Sequence, residues 1–196
     1  MSRIYPAFWG GRAAAYVGVV IRIRMHRRQV IYFSFALILI SACLVQATTV
    51  QRLSLEDMTK KSNSIVLGRV RASRVYWSGN VILTTTTINV TETIKGQVSR
   101  DIEVTTVGGT VGDTTLHVSG MPAFQSGEDA VVFVEKSGVF STVVGLAQGK
   151  FTVDNGEVAN TVTDLQFPDG NGGRPLKMPL EIFRKQLKSI IEAQQP

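Results

Sequence analysis

The 196 residues predict an all-β domain, a small Greek-key barrel with a short helix before it and a longer helix after it. Three observations carry this expectation. From Ser64 onward, β-branched runs alternate with glycine-rich turns, the texture of strands joined by hairpins. One run, over 81–94, is long and two-faced: Ile82, Ile88, Val90 and Ile94 fall on one side, and Thr85, Thr87, Asn89, Thr91 and Thr93 on the other. Val131-Val132-Phe133-Val134 is apolar without alternation, as a central strand covered on both faces would be. Many short strands and one long one fit a barrel better than a flat sandwich, and a barrel leaves no exposed edge to aggregate.

The elements follow in chain order. Ser54-Leu55-Glu56-Asp57 reads as a helix start, with Ser54 as cap and two acids where the helix dipole favours them, and the helix is expected to run to about Lys61. Strands are expected over 65–73, 81–94, 101–107, 114–118, 130–135, 140–145 and 150–153. Turns at Ser78-Gly79-Asn80, Lys95-Gly96, Gly108-Gly109, Ser126-Gly127 and Asp154-Asn155-Gly156 divide them, at hairpin spacing rather than the spacing of helical crossovers. The barrel thus occupies 48–166, and a Gly/Pro loop follows over 167–178. Pro179 is expected in the first turn of a closing helix over 179–196, whose Leu180, Phe183, Leu187 and Ile190 recur at helical spacing and form one stripe to lie on the sheet.

Ahead of the domain, residues 1–47 read as a targeting segment. No charge occurs from Gln29 to Gln51, and the 16 residues over 30–45 (VIYFSFALILISACLV) are almost wholly apolar and directly preceded by Arg27 and Arg28. Val45-Gln46-Ala47 supplies the small or branched residues that a signal peptidase reads, so cleavage after Ala47 would leave Thr48 as the new terminus. The run falls a little short of the roughly 20 residues of a membrane-spanning helix, which favours cleavage. Two alternatives stay open: an uncleaved anchor, and a lipoprotein. In the second, Ile40-Ser41-Ala42-Cys43 would act as a lipobox and Cys43 would be acylated. Met25-His26-Arg27-Arg28 would itself begin an ordinary signal peptide, so Met25 is an alternative translation start. The expected location is outside the cytoplasm, periplasmic or secreted, with membrane contact only through the leader or a lipidated Cys43.

Charge excludes one function class. The net charge of +6 invites a nucleic-acid reading, but residues 1–47 hold Arg3, Arg12, Arg22, Arg24, Arg27 and Arg28 and no acid. The other 15 basic residues are balanced by all 15 acidic ones, so the domain is formally neutral and lacks the Lys/Arg excess that tracks phosphates. The only cysteine, Cys43, lies in the leader, which leaves the domain without a disulfide or a thiolate metal site.

Catalytic signals are sparse. His117 is the one histidine outside the leader and reads as a surface residue of a strand, alternating with Thr115 and Ser119. There is no HExxH, and zinc requires several His or Cys ligands. Gly108-Gly109-Thr110-Val111-Gly112 lacks the Lys-Ser/Thr of a phosphate-binding loop and reads as a hairpin turn. Glu92, Glu103, Glu128, Asp129 and Glu135 could in principle pair for glycosidase chemistry, which makes a carboxylate-based hydrolase the least favoured reading. Glu128, after Gly127, is expected to support a turn. Asn89-Val90-Thr91 fits a glycosylation acceptor but sits mid-strand. Tyr76 and Trp77, placed in a loop beside Ser78-Gly79-Asn80, are candidates for a contact surface. No metal, cofactor or catalytic residue is assigned.

The order of elements carries a resemblance. A short helix is followed by Ser64-Ile65-Val66-Leu67-Gly68-Arg69-Val70, then by Ile88-Asn89-Val90-Thr91-Glu92-Thr93-Ile94-Lys95-Gly96, and then by Phe124, Gly127-Glu128 and Val131-Val132-Phe133-Val134. This resembles the netrin-like OB barrel of tissue inhibitors of metalloproteinases. It is also similar to secreted bacterial domains of uncharacterised activity with the frame GRV, V.E.IKG, F..GE..VVFV and GL.QGKF. The resemblance covers about 53–153 and implies an OB-like barrel used as a binding module. It does not carry over the inhibitory mechanism, which needs an N-terminal cysteine on zinc and disulfides. The expected function is a non-catalytic binding or interaction module of the cell envelope, whose partner is a protein or other envelope component. The alternative is an envelope lipoprotein with a structural or assembly role.

Overall fold

Local capping opens the first described helix where the sequence expects it. In this computed structural model, which describes residues 50–168 and 173–194, Ser54 Oγ accepts from Asp57 N at 3.0 Å and Asp57 Oδ2 accepts from Ser54 N at 3.2 Å. This reciprocal cap opens α1 (Leu55–Lys61). Lys95 Nζ donates to the Thr59 and Ser62 carbonyls at the other end of the helix, where the dipole favours a cation; burial pushes its pKa down. The leader, with Met25, Cys43, Ala47 and Thr48, and positions 169–172 of the Gly/Pro loop lie outside the described residues.

Ten strands follow: β1 (Ser64–Ser78), β2 (Val81–Lys95), β3 (Asp101–Val107), β4 (Gly109–Val111), β5 (Thr114–Leu116), β6 (Asp129–Ser137), β7 (Phe140–Val143), β8 (Lys150–Asp154), β9 (Glu157–Asn160) and β10 (Lys177–Pro179). The last of these runs directly into α2 (Leu180–Ala193). The sheet order is β10-β9-β8-β6-β1-β2-β3, with β7 also on β6, and β4-β5 forms a separate hairpin. The described residues are therefore predominantly β, with one short and one C-terminal helix. Among the described residues no helix is long and apolar enough to cross a membrane.

Several boundaries differ from expectation for identifiable reasons. β1 runs to Ser78 rather than 73, because the tight turn at Gly79-Asn80 lets Trp77 pair with Ile82 and Ser78 with Val81. β5 stops at Leu116 and β7 at Val143; Gly145 and Leu146, both at positive φ, turn the chain into a 3-10 turn (Leu146–Gly149). β4, β9 and β10 have only three or four residues each, too few for alternation to reveal them. Pro179 is not in the first turn of α2 but precedes it: it pairs with Glu157 at the end of β10 and has extended backbone angles.

β6 sits at the centre of the sheet, as its unbroken apolar run requires. On one face Val131 and Phe133 join Ile65, Leu67, Phe151 and Val158 under Met58 of α1 and Phe183 and Leu187 of α2. On the other face Val132 and Val134 join Val66, Val70, Ile88, Val104 and Val143. The second cluster unites β3 with β7, so the sheet curls until these strands lie side by side, with Cα atoms within 8 Å, yet they share no ladder.

The curl accompanies irregularities in the β1–β2 ladder: β2 carries an extra residue opposite Ile65/Val66 and opposite Leu67/Gly68, and β1 carries one between Val70 and Ala72. At the second shift the strands approach so closely that a Cβ on Gly68 would lie 2.4 Å from the Asn89 carbonyl oxygen. Gly68→Ala is expected to destabilise the domain by about 1–3 kcal/mol, the cost of overpacking. Chemical denaturation reads this as a lower midpoint, and an unchanged midpoint would mean that β2 can move aside.

Candidate functional site

Strands β1 and β2 present two unlike faces at the end away from the helices. Ser73 pairs with Thr86, Val75 with Thr84 and Trp77 with Ile82, and directly opposed residues share a face. On β3, Thr106 pairs with Thr84. The concave face thus changes from valine and isoleucine to hydroxyls. Residues 118–125, which connect β5 to β6 without regular structure, cross this region as a strap. Ala147 N donates to Gly120 O at 2.9 Å near one end of the strap, and Gln125 N donates to Glu128 Oε1 at 2.9 Å at the other.

One cleft of about 270 Å³ lies between the strap, the β4-β5 hairpin and this sheet face, and Ser73, Thr84, Thr86 and Thr106 line it. His117, Leu116, Met121 and Phe124 complete much of its wall. Ser73 Oγ and Thr86 Oγ1 share one hydrogen bond at 2.9 Å, so one of the two hydroxyl protons stays available. Thr84 Oγ1 donates to Gly108 O at 2.6 Å and retains its lone pairs. Thr106 Oγ1 is 3.4 Å from Thr84 O, beyond a good O–H···O contact, and is the freest donor of the four.

A second cleft, of about 340 Å³, opens on the other side of Met121, Pro122 and Ala123. Lys150 and Glu128 lie in it with side chains 10% and 13% exposed, and their charged atoms are 2.9 Å apart. Lys150 Nζ also donates to Thr152 Oγ1 at 2.8 Å and stands 5.6 Å from the centre of the Phe124 ring. Glu128 thus ties the end of the strap to β8, the turn-supporting role expected of it. A third opening, between β3 and β7, is lined by Thr105, Glu135 and Thr142 under Met121 and Pro122.

The other predicted residues are placed as follows. Tyr76 and Trp77 lie within β1 rather than in a loop, and on opposite faces: Tyr76 Oη is 3.3 Å from Thr85 Oγ1, while Trp77 shares the face of Ile82 and is 48% exposed. A strand residue's neighbours point oppositely, so the pair cannot form one surface patch. His117 is exposed just beyond β5 and borders the first cleft. Glu92 pairs with Arg184 and Asp129 with Arg69, whereas Glu103 is exposed on β3. Gly109 begins the β4-β5 hairpin rather than a phosphate loop, and Asn89 Nδ2 donates to Asp101 Oδ1 at 3.0 Å. Among the described residues no cluster of three His, Cys, Asp or Glu could hold a metal ion.

Arg69 grips Asp129 at both oxygens, at 2.8 and 2.7 Å, and these hydrogen bonds hold the Asp129 carboxyl below its ordinary pKa. A depressed carboxyl contributes stability above its unfolded-state pKa and loses it as pH falls through the folded value. NMR titration is expected to find Asp129 protonating below the ordinary aspartate range, and Arg69→Ala is expected to restore an ordinary value; an unchanged value in the variant would remove Arg69 as the cause.

The cleft hydroxyls are what sequence reasoning missed. A signal was present: Thr84 and Thr86 share the periodic face of Ile82 and Ile88 and interrupt the apolar run between them. No family model matches the chain, and no curated protein or solved structure is significantly similar to it.

Proposed function

We propose that the domain is an exported, non-catalytic binding module of the cell envelope, built as an OB-like, partly open barrel of the netrin-like kind. Its ligand seats at the strap end. The observation that carries this reading is the hydroxyl-lined cleft: a concave site with a few convergent polar groups on an apolar surround is the ordinary form of a ligand pocket. The curled sheet, with β3 beside β7, supports the barrel. Glu92, Glu128 and Asp129 are each engaged with a cation, which fits structural work rather than acid–base chemistry. The formal neutrality of 48–196 supports a partner other than nucleic acid.

Binding is tested by retention of envelope material on the immobilised full-length chain, compared with Ala123→Trp, which places a large ring at a position bordering both strap clefts. Retention by the parent and its loss in the variant is the expected result; equal retention by both would place binding elsewhere. Export is tested by the mass of the N-terminus recovered from cells. A terminus at Thr48 is expected, an acylated Cys43 would establish the lipoprotein alternative, and an untrimmed cytosolic chain would refute export.

A further inference from the structure

We propose that the hydroxyl-lined cleft takes one unit of an uncharged sugar; this rests on the reading of the domain as a binding module and specifies its ligand. The chemistry of the lining selects the class. Ser73, Thr84, Thr86 and Thr106 carry no charge, and neither a carboxylate nor a Lys or Arg side chain lines the cleft among the described residues. His117, exposed at the rim, is the one titratable side chain on the lining among the described residues, so a carboxylate, phosphate or ammonium ligand would leave water without a buried counter-charge to meet it, at a desolvation cost no neutral hydroxyl offsets. The occupant is neutral and polar.

The remaining hydrogen-bonding capacity points to hydroxyls. Thr106 and one member of the Ser73/Thr86 pair have a proton to give, and all four side chains have lone pairs to receive one. A sugar hydroxyl both donates and accepts, and rotates to suit either neighbour. A peptide strand is matched by free backbone groups at a sheet edge. The β2 part of the cleft floor is instead a sheet face, laddered to β1 and β3, and there only side chains can reach an occupant. Phe124 and Met121 supply apolar wall, and the C–H groups of a sugar ring pack favourably on an aromatic face. A space of about 270 Å³ fits a single ring rather than an extended chain.

Trp77 is the internal control. It lies on the same sheet face but beyond Val75 and Thr84, over which Gly109 of the β4-β5 hairpin passes, so the hairpin separates it from the cleft.

The test applies the full-length chain to an array of uncharged glycans ending in glucose, galactose, mannose or N-acetylglucosamine, beside sialylated and sulfated glycans and a library of uncharged peptides. Retention on uncharged glycans is expected, weakened about tenfold by Thr106→Val, the consequence of one lost hydrogen bond, and unaffected by Trp77→Ala. Thr106→Val removes only a long contact, so thermal unfolding close to that of the parent separates lost binding from lost folding. Retention on acidic glycans alone, or loss in Trp77→Ala with none in Thr106→Val, overturns the proposal. If no glycan is retained but uncharged peptides are, and Thr106→Val weakens them, the sugar assignment falls while the binding-module reading stands. If neither is retained, the sugar assignment falls, and the binding-module reading falls with it only if envelope material is also not retained.

Discussion

Phe183→Ala is expected to destabilise the domain by about 3–5 kcal/mol, the range for removing a fully buried aromatic ring and leaving a cavity. Phe183 brings α2 onto the sheet by packing against Phe151 of β8 and Phe133 of β6, with ring centres 4.7 and 6.3 Å away, and none of the three rings is exposed. Their tilted and edge-on arrangements add to the burial. Leu187, one turn later, is also fully buried, so the helix cannot slide to refill the space without exposing another anchor. Chemical denaturation of Phe183→Ala against Ile182→Ala gives the comparison. Ile182 is 45% exposed, and its truncation is expected to stay within about 0.5 kcal/mol of the parent. Equal effects of the two would mean that α2 does not dock as described.

Lys150→Met is expected to be nearly as damaging, at about 3–5 kcal/mol, for an electrostatic reason. The substitution removes the cation but leaves the Glu128 carboxylate in a site where it is only 13% exposed. Glu128→Leu leaves the lysine stranded in the same way. Removing both partners removes the unpaired charge, so Lys150→Met with Glu128→Leu is expected to recover to within about 1–2 kcal/mol of the parent. The bond from Gln125 N to Glu128 is lost too, but Gln125 is exposed and water replaces the carboxylate. Additive losses in the double variant would show that the two side chains do not act as a pair. Because Glu128 anchors the strap, either single variant is also expected to speed hydrogen exchange at Gln125.

Local rules made much of this fold readable. Ser54 formed the expected cap, the 81–94 run became β2 almost to the residue, and the unbroken apolar run of 131–134 lies in the central strand. Phe183 and Leu187 of the predicted stripe are the deepest residues of α2. The cleft was hidden for a physical reason. Its residues come from four separate stretches, and the register shift between Val70 and Ala72 reverses the parity of β1. After that shift the odd-numbered Ser73, Val75 and Trp77 occupy the face that the even-numbered Val66 and Val70 hold before it, and a period-two reading cannot anticipate this. The same shift decides that Tyr76 and Trp77 part company. The strap was equally invisible, because its position depends on where β3 and β7 meet, a distance across the curled sheet rather than along the chain.

Binding at the strap end is tested most directly by hydrogen exchange of the full-length chain with and without solubilised envelope material. Protection is predicted to concentrate in peptides covering Thr84 to Thr86, Thr106 to Gly109 and Leu116 to Phe124, the walls of the first cleft. Protection confined to the edge at β10 or to the exposed side of α2, or no protection at all, would contradict the account.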